Sequence, residues 1–342
     1  MVLTSPDVAA AIELAEAGHL RLQVETWRAL GAKDARVVEI GGGVAAFTER
    51  LFARKLNHVT GIGMQGAVDP DVLEEVESAY AAQGLGTEID LCPHAVPGLL
   101  PMLAARGYAV NAFSNTYART LDEVPGRGGD DGIEILAGAQ ADALFVDASV
   151  SGFSVQAEKR PRELLEALAR IARARGDTAL FVARVDGRIA GSAGLSVAQT
   201  PLGPIGELYI ASTLPEFRGR GVQTALLRAR LVAAKAAGCA LAVVMARPAN
   251  TSARNTERAG FSLAFTKATF SRSLAGAKGS GIASIATGVS ASDCVAARCE
   301  EMPDPCIPAI SAGVKSASGL PTAPASTYRV ACRHRCRRPP RK

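Results

Sequence analysis

The run Pro215-Glu216-Phe217-Arg218-Gly219-Arg220-Gly221-Val222-Gln223-Thr224-Ala225-Leu226-Leu227 carries the clearest chemistry in the chain. Gly219 and Gly221 let the backbone approach a phosphate closely, and successive N–H groups point into one concavity. A helix opening at Val222 adds roughly half a positive charge there. Arg218 and Arg220 add charge-assisted hydrogen bonds to the same oxygens, so the run suits a pyrophosphate. Glu207 lies upstream on a strand-like stretch. A carboxylate in a partly apolar cleft can serve as a base, directly or through a water, because burial raises its pKa. The plain alternative is an edge-strand glutamate with no role. Asn250 and Asn255 flank a short helix, which Asn250 is placed to cap. His19, His58, His94 and His334 are scattered and suggest no metal site or triad. Trp27 and Tyr209 read as packing residues, Tyr209 facing a ligand only if strand geometry brings it round beside Glu207.

The elements that must position these groups are legible downstream of residue 141. A helix is predicted over 162–175, a strand over 178–185, and a two-residue turn at Asp186-Gly187, since both centres of a type I′ turn need positive φ. Strands follow over 188–197 and 205–213. A helix over 222–237 closes on Gly238 as its C′ residue, and a buried strand covers 240–246. A short helix over 252–259 and a strand over 262–271 complete the order.

With its loop between a strand and a helix, this order resembles the GNAT acetyltransferase family, whose motif is Gln/Arg-x-x-Gly-x-Gly/Ala. Arg218 and Gly221 occupy the first and middle positions, while Gln223 stands where Gly or Ala is usual. The resemblance implies an α/β fold, an α+β mixed sheet of GNAT type, with acetyl-CoA as acetyl donor and no metal. It assigns Arg218, Gly219, Arg220, Gly221, Val222, Gln223 and Thr224 to the pyrophosphate, and Asn255 to the pantetheine amides or pyrophosphate. The strand before the loop is expected to splay, so that Ile210, Ala211 and Ser212 bind the pantetheine arm through backbone groups and polarise the thioester carbonyl. Glu207 stands at the spacing of the family's catalytic Glu. Thr256 replaces the Tyr that often protonates the thiolate, and a threonine hydroxyl is a far poorer acid.

The first half resembles a second copy of the same ending. Setting Gly107 against Gly260 aligns 103–110 with 256–263 without gaps, and places Tyr117 against Phe270 and Arg119 against Arg272. The division expected is a degenerate GNAT-like domain over 1–135, a catalytic GNAT domain over 136–272 and a basic, Cys/Pro/Ser-rich disordered tail over 273–342, so the fold is a tandem. A rival resemblance exists. Val37-Val38-Glu39-Ile40-Gly41-Gly42-Gly43 is similar to the first motif of S-adenosylmethionine-dependent methyltransferases, but Gly63 stands where an acid would bind the ribose hydroxyls.

The net charge of +5 is set by the last fourteen residues, which carry seven Lys or Arg and no acid. The rest is near neutral, which argues against nucleic acid as the partner of the folded part. No apolar run is long enough to cross a bilayer, and the start lacks a basic segment followed by an apolar one, so no membrane is expected and a cytoplasmic setting is. Five of the seven cysteines lie in the tail in no zinc spacing, and Cys92 and Cys239 read as buried thiols. The function expected is N-acetyl transfer to a primary amine of a small molecule or peptide by direct attack. The alternative is a non-catalytic acyl-CoA-binding or sensing module, and the methyltransferase stands behind both.

Overall fold

The computed structural model describes residues 5–124, 132–155 and 160–274. The expected tail therefore lies outside the described residues from 275 onward. In the first half come α1 (Pro6–Ala29), β1 (Arg36–Ile40), β2 (Gly43–Phe47), β3 (Val59–Thr60), α2 (Pro70–Ala82), β4 (Thr87–Leu91), α3 (Leu99–Ala105) and β5 (Ala109–Thr120). The second half holds β6 (Ile133–Ala137), α4 (Ala139–Ser154), α5 (Arg162–Ala174), β7 (Thr178–Val185), β8 (Arg188–Ala198), β9 (Ile205–Thr213), α6 (Val222–Ala236), β10 (Leu241–Ala246), α7 (Thr251–Arg258) and β11 (Ser262–Arg272).

Local chemistry sets several boundaries. Ser5 Oγ accepts the Val8 N–H at 3.2 Å and Pro6 sits in the first turn of α1. Asp186 and Gly187 take φ of 52° and 75° as the β7–β8 turn, and Gly238 at 81° ends α6. The elements read from the sequence downstream of 141 hold, with boundaries within a residue or two, but α4, which precedes them, was not read.

All eleven strands form one sheet in the order β1-β2-β3-β4-β11-β5-β10-β9-β8-β7-β6. Only β3/β4 and β9/β10 pair in parallel; the other pairs are antiparallel. α1, α4 and α5 cover one face, where Phe145 and Ala172 pack on Leu180 and Val182. α6 covers the other, where Leu226 and Leu231 pack on Phe181 and Ala183. α2 lies on that second face too, its Tyr80 stacked on Phe47 and donating to Ala46 O at 2.7 Å.

The two halves exchange strands. β5 lies between β10 and β11, and β11 lies between β4 and β5. The register is symmetric under the offset that sets Gly107 against Gly260. The pair Ser262/Ala118 has Ser271/Ala109 as its counterpart, Phe265/Thr116 has Thr269/Ala112, and Lys267/Ser114 maps onto itself. Both register shifts obey the same rule, so a pseudo-twofold axis passes through the Lys267/Ser114 pair. The match extends to the neighbours, with Leu91 standing on β11 as Ala246 stands on β5. Each exchanged strand is tied at its end to the opposite half, Arg119 to Ala259 O and Arg272 to Glu77.

The methyltransferase resemblance fails on topology. Gly41 and Gly42, at φ of 55° and 83°, make the two-residue turn of the antiparallel β1–β2 hairpin. No helix follows them, so no dipole faces a ligand there. The equivalent cleft of the first half is also bridged: beyond β3 and β4, Val96 N–H donates to Gly63 O at 2.9 Å.

Candidate active site

β9 and β10 pair only over Ile205–Glu207 and Leu241–Val243. Beyond that point Ile210 takes φ 44°, and the β8–β9 register shifts between the pairs Ser192/Ser212 and Gly194/Tyr209. Ile210 and Ala211 thus oppose Ala193 alone, a bulge that turns β9 away from β10. The strands splay around a cleft of about 540 Å³, with Leu208 to Ala211 on one wall and Val244 to Ala246 on the other. Gln223, Leu227 and Arg230 of α6 line it, as do Asn250, Ser252 and Thr256 around α7.

The glycine loop enters at the mouth. Gly219 and Gly221 hold φ of 76° and 83°, conformations that cost an L residue about 1–2 kcal/mol. Gly221 is the N-cap of α6 and supplies no side-chain acceptor, so the first N–H groups of the helix, from Val222 through Thr224, remain available to an anion. These groups fit a pyrophosphate.

The expected site residues fall into distinct places. Ile210, Ala211 and Gln223 line the cleft. Ser212 turns its hydroxyl to Ser192 Oγ at 3.3 Å against α4, offering only its backbone. Arg220 pairs with Asp186 at 2.9 Å and stacks over Phe217. Val222 is buried in the core, Thr224 is exposed, and Arg218 sits on the turn before Gly219. Asn255 donates to Gln223 Oε1, which joins α7 to α6. Asn250 caps α7, accepting the Ala253 N–H at 2.7 Å, and also lines the cleft.

Glu207 is 2% exposed and does not line the cleft; Tyr209, two residues along the same face, does. One Glu207 oxygen lies 2.9 Å from His19 Nδ1 and 3.4 Å from Ser196 Oγ, while Oε1 has no hydrogen-bond partner. Tyr209 bonds Thr178 Oγ1 at 2.9 Å and meets the His19 ring edge-on, and burial pushes its phenol up to about 12. Arg175, clamped on Asp177 at 2.5 and 2.9 Å, reaches the His19 carbonyl at 3.3 Å. Sequence reasoning left His19 aside because it belongs to α1, far from 207 along the chain; no local signal marked it. Arg230 did leave a signal, a charge on the α6 face otherwise marked by Val222, Leu226 and Ala234. Among the described residues no cluster of His, Cys, Asp or Glu could hold a metal ion.

Residues 144–261 match the family model described as Acetyltransferase (GNAT) family. A solved GCN5-related N-acetyltransferase from Kribbella flavida is similar at 19% identity and TM-score 0.54, over 82% of this chain and 99% of that one, so the fold is shared across both halves. Other similar structures are a GCN5-related N-acetyltransferase from Sphaerobacter thermophilus (14% identity, TM-score 0.46, 79% of this chain and 94% of that one) and a tandem GNAT protein from the clavulanic acid biosynthesis pathway (16%, 0.49, 78% and 94%). No curated protein matches the chain.

Proposed function

We propose that this protein moves the acetyl group of acetyl-CoA to a primary amine of a small molecule or peptide by direct attack. The observation that carries this reading is the bulge at Ile210, which opens β9 from β10 directly beside the left-handed glycines that start α6. In this reading the N–H groups from Gly219 through Thr224, with Arg218 and Arg220, hold the pyrophosphate. Backbone groups of Ile210, Ala211 and Ser212 hold the pantetheine arm and polarise the thioester carbonyl. Asn255 orders Gln223 at the wall. Glu207, which does not itself line the cleft, takes the proton of the acceptor amine through an intervening water, to which its unpartnered Oε1 can turn. Binding both substrates side by side supplies much of the rate. Catalysis belongs to residues 136–272, and residues 1–135 cover the sheet and shape the acceptor side, to which Gln23 and Lys55 contribute. No helix among the described residues is long and apolar enough to cross a membrane. In this reading the protein works in the cytoplasm, without a membrane partner and without nucleic acid bound by its folded part.

Isothermal titration of acetyl-CoA into the wild type and an Arg218→Ala/Gly221→Asp double variant tests this. Micromolar binding that the variant abolishes is the expected result; no binding by the wild type overturns it. The non-catalytic reading is favoured by two particular facts, Thr256 in the acid position and a buried Glu207 that does not itself line the cleft. Binding without release of free CoA across an amine panel would decide for it.

A further inference from the structure

Arg230 is 2% exposed on the packed face of α6, and no carboxylate lies within ion-pair reach among the described residues. Its Nε donates to Leu226 O at 3.1 Å and its Nη1 to Gly194 O at 3.4 Å. Gly194 is the β8 partner of Tyr209 at the edge of the bulge, so the guanidinium is anchored to the strand that faces the bulge. Arg230 also lines the cleft, whose walls hold no Asp or Glu. A buried charge without a partner is strongly unfavourable, and an apolar side chain of similar volume would be cheaper here. Burial alone pushes this guanidinium down to about 9. The arrangement makes sense when an anion completes it.

We propose that Arg230 is the counter-charge for the CoA thiolate at the end of acyl transfer. The inference rests on the reading that acetyl-CoA occupies this cleft. As the amine nitrogen bonds to the carbonyl carbon, the C–S bond breaks and sulfur keeps its electron pair. Glu207 has taken one proton from the ammonium, and the second proton lost from nitrogen goes to water and not to sulfur, because Thr256 offers no phenol. The sulfur therefore departs as an anion into the cleft that Arg230 lines together with Leu208, Val244 and Thr256. A fixed cation there stabilises the product side more than the neutral thioester, which is the condition for raising kcat.

The test is calorimetry of CoA and of S-methyl-CoA, which cannot ionise at sulfur, on the full chain at pH 8, with wild type, Arg230→Met and Arg230→Lys. A thiol whose pKa the site lowers to about 7 is largely thiolate at that pH, while free CoA is mostly protonated, so wild type should prefer CoA over the methyl ether about tenfold. The preference should vanish in Arg230→Met and return in part in Arg230→Lys, while S-methyl-CoA affinity stays within about twofold, a readout that simple loss of packing would not give. An unchanged preference in Arg230→Met overturns the proposal, as does a wild type that binds both ligands equally. A wild-type preference for succinyl-CoA over acetyl-CoA that Arg230→Met removes would overturn it in favour of an acyl carboxylate. Failure of the wild type to bind either CoA form defeats the acetyl-CoA reading itself. Should Arg230→Met fail to fold, the Arg230→Lys preference relative to wild type decides alone.

Discussion

At the scale of single residues, the buried pair Glu207–His19 joins a strand of the second half to the first helix of the chain. Replacing Glu207 by Gln keeps the shape and removes the base. We expect kcat/KM to fall about 100-fold at pH 7, and the gap to close as pH rises past the pKa of the acceptor amine, which then arrives deprotonated. A gap that stays constant across that range would reduce Glu207 to a packing role. His58 gives a second expectation. Burial pushes its imidazole down to about 4, with Arg54 and Lys267 adding to the effect and Asp90 opposing it. Its contribution to stability is therefore present above the ordinary value of 6.5 and lost as pH falls through 4, by up to about 3 kcal/mol. Glu13 runs the other way: burial raises its carboxyl, with Lys267 opposing and Glu16 adding, so its contribution is complete below the ordinary carboxylate range and lost as pH rises through the raised value. Denaturant unfolding of wild type and His58→Gln between pH 7 and 4 isolates the histidine as a difference; parallel curves would refute it. Little of this was legible in sequence, because the partners of Glu207 and Glu13 are brought together only by α1 crossing the sheet.

At the scale of elements, the second half was read well because its signals are local. The Asp186-Gly187 turn, the Gly238 stop and the glycines before α6 are each decided by φ at one or two positions. Two changes probe such positions. Gly221→Ala meets no clash, since the added carbon would stand 3.6 Å from Ile133 Cδ1, so its cost is backbone strain of about 1–2 kcal/mol. A melting temperature lower by a few degrees is expected, together with weaker acetyl-CoA binding. Asn250→Ala removes the N-cap of α7 and should cost about 1 kcal/mol in chemical denaturation, where no loss would show the cap to be idle. The first half was harder to read. Its β3 is only two residues long, and the glycines after Ile40 serve a hairpin where the same letters before a helix would serve a cofactor. The splay of β9 was expected from family resemblance alone; the bulge that causes it is a conformation of Ile210 that no residue type announces.

At the scale of the whole molecule, the exchange of β5 and β11 makes the halves interdependent. Lys267, 1% exposed, ties the exchange together by reaching Glu13 at 3.2 Å and Glu16 at 2.5 Å on α1. Cutting the chain between residues 124 and 132 should leave two fragments that are unfolded apart and recover a folded complex when mixed, followed by circular dichroism and gel filtration. A fragment ending at 124 that folds by itself would contradict the exchange. The symmetric register carries a consequence for ancestry and assembly. A strand exchange that maps onto itself about Lys267/Ser114 is the isologous contact of a homodimer. A chain of half this length could close the same sheet with a second copy of itself, holding two identical clefts. Joining the copies in one chain fixes their stoichiometry and frees each to change alone, and here one has kept its cleft open while the other has bridged it from Val96 to Gly63.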